Sequence, residues 1–258
     1  MFRFILLSMI VLAGITLAQV VTLVKDGAPA ATIIIPDAAF NAKPYVRTLH
    51  AVGKPEEKIR AAANDLQYYL EKISGAKVPI LSDAMKINLI GQPVIVVGES
   101  NASRLLTLRY PTGWTKDFKE EGYTLYCKGE TLALVGNDAG PYHGTEYAVF
   151  DLLTRLGCRW YMPTEFGEYL PSLKTITVAD LNVVETPDFR QRCWWQNGVP
   201  AMQIADAEYK IRNRMSPAYP IIVAGDGTLR QWMPDKELLK TKPELFARQA
   251  DGSYNPYM

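Results

Sequence analysis

A catalytic serine needs a sharp strand-to-helix elbow with a base and an acid nearby. Val94-Ile95-Val96-Val97 followed by Gly98-Glu99-Ser100-Asn101-Ala102 approximates that elbow, with alanine in the last place. Asp138 and His143 follow in the chain order of an esterase triad. His143, however, opens a predicted helix, which would hold its imidazole away from Ser100, and an ordinary strand-to-helix turn explains the same residues. Glycoside hydrolysis would instead need two carboxyl groups about 5 to 10 Å apart. Glu165 and Glu168 bracket a Phe-Gly turn and Glu120 and Glu121 precede a strand, positions that suit solvated or turn-capping carboxylates. His50 and His143 are the two histidines, without metal-ligand spacing around them, and no Gly-rich loop ends in Gly-Lys-Ser/Thr. The expectation is no metal and no cofactor. Asn101-Ala102-Ser103 is a glycosylation sequon, meaningful in a secretory host that uses it.

The elements that would position these residues read as an α+β layer. Gln19 to Lys25 and Ala31 to Ile35 are β-rich runs around Asp26-Gly27, which suggests a hairpin. From Pro55 to Ser74 the apolar residues Ile59, Ala62, Ala63, Leu66, Tyr69, Leu70 and Ile73 follow the three-and-four spacing of one buried helix face. Pro55 suits the first turn and Gly75 the C-cap. Val94 to Val97 reads as an interior strand, and Gly122 to Cys127 with Thr131 to Val135 as an antiparallel hairpin. A second helix follows Pro141 and buries Ala148, Val149, Leu152, Leu153 and Leu156, with Gly157 closing it. Cys158 to Pro163 and Thr175 to Val178 complete the strands. The fold class is therefore α+β, a mixed or antiparallel sheet with two helices on one face, rather than a doubly wound parallel sheet.

Composition bounds the function classes. With 258 residues, 48% of them hydrophobic, a substantial core can form, and a formal charge of +1 with no basic stretch argues against nucleic acid or a membrane surface as partner. Met1 to Ala18 carries Arg3, an apolar run from Phe4 to Leu17 and an ending Thr16-Leu17-Ala18 with small residues at both cleavage-site positions, the pattern of an export signal cleaved after Ala18. The mature protein is expected in the periplasm or outside the cell. Cys127, Cys158 and Cys193 form an odd, widely spaced set, so Cys127 and Cys158 read as buried free thiols.

Several segments resemble a known domain. Ala61-Ala62-Ala63-Asn64-Asp65-Leu66-Gln67-Tyr68-Tyr69-Leu70-Glu71-Lys72-Ile73-Ser74-Gly75-Ala76-Lys77-Val78-Pro79-Ile80 resembles the helix and strand of the accessory N-terminal domain of bacterial α-glucuronidases and β-hexosaminidases. Gly122-Tyr123 with Leu134-Val135-Gly136-Asn137-Asp138 is similar to that domain's hairpin. Gly140 to Gly144 with Leu156-Gly157-Cys158-Arg159-Trp160-Tyr161-Met162-Pro163 is similar to its second helix and closing turn. The resemblance spans about Val20 to Val184, and His143 departs from it where an aromatic residue such as tyrosine is expected.

The resemblance implies a domain over residues 19–184, followed over 185–258 by the start of a (β/α)₈ barrel that carries glycoside hydrolysis. Lys242-Pro243-Glu244-Leu245-Phe246-Ala247 with Asp251-Gly252 is like an early stretch of exported relatives. Such a barrel needs roughly 250 residues, so the sequence reads as a fragment, its catalytic carboxylates lying beyond Met258. Arg192 stands three residues after Phe189 and five after Pro187, as does the substrate-binding arginine of β-hexosaminidases, where the guanidinium forks onto sugar hydroxyls. Asn197 would fall at the mouth of the same strand. Trp194 or Trp195 would offer an aromatic platform to pyranose C–H groups. Alternatively, these residues fill a barrel and Arg190 or Arg192 pairs with a carboxylate of the first domain. Asp226, within Gly225-Asp226-Gly227, is explained equally by a strand end and by a turn. The expected partner is a carbohydrate substrate, besides packing between the layer and the barrel. A non-catalytic carbohydrate-binding or scaffolding module and an esterase using Ser100 are the competing functions.

Overall fold

Asp26 and Gly27 close a two-residue turn between β1 (Val20–Lys25) and β2 (Ala28–Pro29), both at positive φ (51° and 78°), as a type I′ turn requires. The turn is as expected, but its second strand is not. β2 ends after two residues and β3 (Thr32–Ile35) leaves for another sheet. Three consecutive isoleucines place apolar groups on both strand faces, which only an interior position buries. A computed structural model describes residues 20–43, 45–48, 52–85, 91–115, 117–190, 192, 202–215 and 236–254. Residues 1–18, read above as an export signal, and His50, Cys193 and Asp226 lie outside these.

After the one-turn helix α1 (Asp37–Phe40), helix α2 (Pro55–Ser74) begins and ends as its spacing predicts. Pro55 opens it, the Glu57 carboxylate accepts from Lys54 N at 2.9 Å, and Gly75 caps it in the left-handed conformation at φ 83°. Then follow β4 (Ile80–Ser82), β5 (Val94–Val97) and α3 (Asn101–Leu105). β6 (Tyr123–Lys128) and β7 (Thr131–Gly136) form the expected hairpin; Lys128 faces Thr131 and leaves Gly129, at φ 60°, and Glu130 as the turn. α4 (Gly144–Arg155), the short pair β8 (Arg159–Trp160) and β9 (Glu168–Tyr169), β10 (Ile176–Ala179) and β11 (Leu181–Glu185) complete the layer.

The main sheet is mixed, in the order β11-β6-β7-β5-β3-β4, and runs parallel from β7 through β5 and β3 to β4. β1 pairs with β10 in a separate sheet. Side-chain alternation divides the main sheet into two faces. Ile95, Val97, Leu132 and Leu134 meet the apolar stripes of α2 and α4, while Val96, Ala133 and Val135 meet Ala102, Leu106 and Tyr110 on the other side. Two long helices thus cover one face, as expected, and α3 with the chain after it partly covers the second. Tyr69, Phe150 and Trp160 pack edge to face with ring centroids 5.2 to 6.1 Å apart. Beyond the layer, α5 (Gln203–Arg212) packs on α4.

The chain divides into two compact units, residues 1–218 and 219–258. The described part of the second contains α6 (Lys236–Thr241), a 3₁₀ turn at Pro243–Leu245 and a bridge between Arg248 and Tyr254 across the Asp251-Gly252 turn. No helix among the described residues is long and apolar enough to cross a membrane.

Candidate functional site

A cleft of about 260 Å³ opens where the chain leaves β11, lined by Glu121, Tyr123, Tyr147, Phe189, Arg192 and Arg214 among others. Glu121 enters it because Gly122 lets the chain pass closely: a Cβ there would lie 2.7 Å from the Glu185 carbonyl oxygen. Glu121 is buried rather than solvated, correcting the sequence expectation, and carries an ion pair with Arg192. The same guanidinium donates from Nη1 to the Phe189 carbonyl at 2.8 Å and from Nε to the Arg214 carbonyl at 3.3 Å. The Tyr147 hydroxyl, on α4, lies 3.2 Å from Glu121 Oε1 and 3.0 Å from the Met215 carbonyl. Burial and the Glu121 charge push its pKa well up, so it stays a neutral donor. Phe189, 73% exposed, forms an apolar wall.

A second buried cluster ties the segment around Arg47 to both long helices. Arg47 donates from Nε and Nη2 to Glu146 Oε1 at 2.7 and 2.5 Å and from Nη2 to Asp65 Oδ2 at 2.5 Å. His143 Nδ1 lies 2.5 Å from Glu146 Oε2, which also accepts from the Tyr45 hydroxyl at 3.2 Å. Burial alone would raise the Glu146 carboxyl, but Arg47 and His143 outweigh it and hold it at about 2. For Asp65 burial prevails over Arg47, and its pKa rises.

The loop from β7 into α4 rests on a buried lysine. Lys58 Nζ donates to the carbonyls of Asp138, Gly140 and Tyr142 at 3.2, 2.6 and 2.7 Å. Asp138 accepts from Thr145 N at 3.1 Å, and burial, against those Thr145 hydrogen bonds, lifts its carboxyl to about 6. Both members of the esterase reading besides Ser100 therefore have structural partners. Ser100 itself is the N-cap of α3, its hydroxyl accepting from Ser103 N at 3.1 Å.

Arg192 is brought to a cleft, whereas Trp194, Trp195 and Asn197 lie outside the described residues. Glu168 is not a solvated turn residue: it accepts from the Tyr69 hydroxyl at 2.6 Å and pairs with Arg212 at 3.2 Å. Glu120 does have a turn role, accepting from Thr115 N at 2.7 Å. Cys127 and Cys158 are buried free thiols, as expected, with burial raising each to about 11. Among the described residues no group of three or more His, Cys, Asp or Glu side chains could hold a metal ion. Arg47 and Tyr147 went unnoticed in the sequence, where no spacing distinguishes them.

No family model matches the chain, and no curated protein does. Among solved structures it is similar to a family GH115 4-O-methyl-α-glucuronidase with specificity for decorated arabinogalactans, at 14% identity and a TM-score of 0.41, over 67% of this chain and 19% of that one. It is also similar to a GH20 exo-β-N-acetylglucosaminidase from Vibrio harveyi in complex with N-acetylglucosamine, at 17% identity and a TM-score of 0.33, over 67% and 18%. A third is CpGH84D, at 10% identity and a TM-score of 0.35, over 68% and 23%. The chain spans about a fifth of the length of each of these structures.

Proposed function

We propose that this chain is the opening part of an exported glycoside hydrolase acting on poly- or oligosaccharides. Its α+β layer is an accessory domain, and the catalytic carboxylates belong to a barrel that continues past Met258. The observation that carries this reading is the way the layer's buried carboxylates hold the chain that follows it. Arg192 reaches back to Glu121, Arg212 to Glu168, and the Tyr147 hydroxyl to the Met215 carbonyl, so the layer acts as a seat for the next element. The residues that resemble an accessory glycosidase domain agree with it. In the complete enzyme Arg192, which lines the cleft, contacts the sugar together with Trp194, Trp195 and Asn197.

The test is to read the gene past the Met258 codon, express the whole frame and assay it on p-nitrophenyl glycosides. An open frame of roughly 180 further residues with glycosidase activity supports the proposal. A stop codon at that point, or an inactive long protein, overturns it. A second reading, a carbohydrate-binding module, is favoured by the exposed Phe189 ring beside the polar cleft, and sugar-dependent tryptophan quenching in the inactive chain would support it.

A further inference from the structure

A cavity of about 200 Å³ opens at the carboxyl ends of β5 and β7, which are parallel neighbours. After β5 the chain turns to α3 on one face of the sheet, and after β7 it turns to α4 on the other. In open sheets, the crevice between strands whose connections part in this way is where small ligands bind. Glu99 lines it from the β5 side, Asp138 from the β7 side, and Tyr110, Thr112 and Gly113 from the chain after α3. Asn137 braces the wall, its Nδ2 donating to the Gly113 carbonyl at 2.7 Å and to the Glu120 carbonyl at 2.9 Å. Trp114, next in the chain to Gly113, is 53% exposed. A Cβ on Gly140 would lie 2.8, 3.0 and 3.1 Å from the indole Cδ2, Cε3 and Cγ. Such nearly equal distances to three adjacent ring atoms mean that the indole rests face-on against the Gly140 backbone, with its exposed area on the other side.

The lining narrows the chemistry of the ligand. Arg104 donates to Glu99 from Nε and Nη2 at 3.2 and 3.0 Å, and Lys58 stands behind Asp138, its Nζ donating to the Asp138 carbonyl at 3.2 Å. Each carboxylate thus has a cation beside it, so a further cation gains little, while the two carboxylates repel an anion. What they retain is acceptor capacity, because a carboxylate offers about four lone-pair sites and Asp138 spends part of its own on Thr145. The Tyr110 hydroxyl supplies a donor, since burial and the Glu99 charge push its pKa up to about 12. Acceptors and a donor beside a bare aromatic face match a ring that carries hydroxyls on its edge and C–H groups on its face. The volume is below the roughly 300 Å³ at which drug-sized sites begin, a size that suits one such ring. We propose that this cavity binds a neutral hexopyranose unit, with Trp114 stacked on its face and Glu99 and Asp138 accepting from its hydroxyls. The site lies within the layer, apart from the Arg192 cleft, and does not rest on the hydrolase reading.

Fluorine NMR of the 258-residue chain labelled with fluorotryptophan tests this, Trp114→Phe identifying the Trp114 resonance. The probes are the methyl glycosides of glucose, galactose and mannose, with methyl glucuronide as the charged control. The expected result is a saturable shift of the Trp114 resonance with at least one neutral glycoside and several-fold weaker binding of the glucuronide. In saturation-transfer NMR of the same sugar, Trp114→Ala and Glu99→Gln should each weaken the Kd several-fold, while Trp114→Phe, which keeps an aromatic face, retains most of the affinity. No shift with any neutral glycoside, or shifts confined to other tryptophans, overturns the site and spares the hydrolase reading. A stop codon after Met258 overturns that reading and spares the site. An equal response to the glucuronide overturns recognition of a neutral ring. A Trp114 resonance that a soluble nitroxide fails to broaden in the free chain means that residues 216–258 or a second copy cover the indole, and this too overturns the site.

Discussion

Arg192 and Glu121, seventy-one residues apart, form a buried ion pair at the point where the chain leaves the layer. Breaking such a pair by removing one partner leaves an uncompensated charge and costs about 3 to 5 kcal/mol, whereas removing both costs less than the sum. We expect Glu121→Gln and Arg192→Met each to destabilise the chain by roughly that amount, with a coupling of about 1 to 3 kcal/mol in the double variant. Urea denaturation measures it. Additive losses would mean that the two groups do not act as a pair.

Arg47 holds two carboxylates at once, that of Glu146 fully buried and that of Asp65 part-buried. The Glu146 carboxyl sits at about 2 in the folded chain, against an ordinary value of about 4.3 when unfolded. Its contribution is therefore present above about pH 4.3 and lost as pH falls towards 2. Asp65 is shifted upward, so its ionisation acts in the opposite direction. Arg47→Met should lose about 3 to 5 kcal/mol at pH 7, a deficit that shrinks in acid as the stranded carboxylates take up protons. Parallel stability curves for wild type and variant between pH 7 and 3 would contradict this.

Asp138 should show the reverse dependence. Burial keeps its folded pKa at about 6, above the unfolded value, so the folded state binds the proton more tightly and stability declines as pH rises from about 4 to 6. Asp138→Asn keeps an oxygen for Thr145 N and cannot ionise. Relative to wild type it should gain stability across that window, by up to about 3 kcal/mol at pH 7. A pH-independent difference between the two proteins would count against the assignment.

Two glycines should respond in opposite ways. A Cβ on Gly136 would lie 2.2 Å from the Gly144 carbonyl carbon, where β7 and the start of α4 touch backbone to backbone. Gly136→Ala should cost upwards of about 2 kcal/mol or abolish folding. Gly129 has open space around it and needs only positive φ, which asparagine tolerates. Gly129→Asn should stay within about 1 kcal/mol of wild type in thermal melts.

Ser100→Ala tests whether this serine has a chemical role. As a helix cap it should cost about 1 kcal/mol and leave background p-nitrophenyl acetate turnover unchanged. Loss of a measurable esterase activity on this substitution would restore the competing function.

Much of the layer is legible in the chain because its causes are local. The α2 stripe, its proline start and glycine end, and the Gly129 and Asp26-Gly27 turns depend on backbone preference and spacing within a few residues. The interior character of Val94–Val97 is equally visible, since a strand apolar on both faces has to be covered twice. What the spacing could not show is which distant groups meet. β3 leaves its neighbour in sequence because the parallel centre of the sheet buries both its faces, a competition decided only when β4 and β5 are in place. Glu121 and Glu168 looked solvated because an isolated carboxylate prefers water. They are buried because Arg192 and Arg212, supplied by the chain after the layer, offset the loss of hydration at distances that only the folded backbone creates.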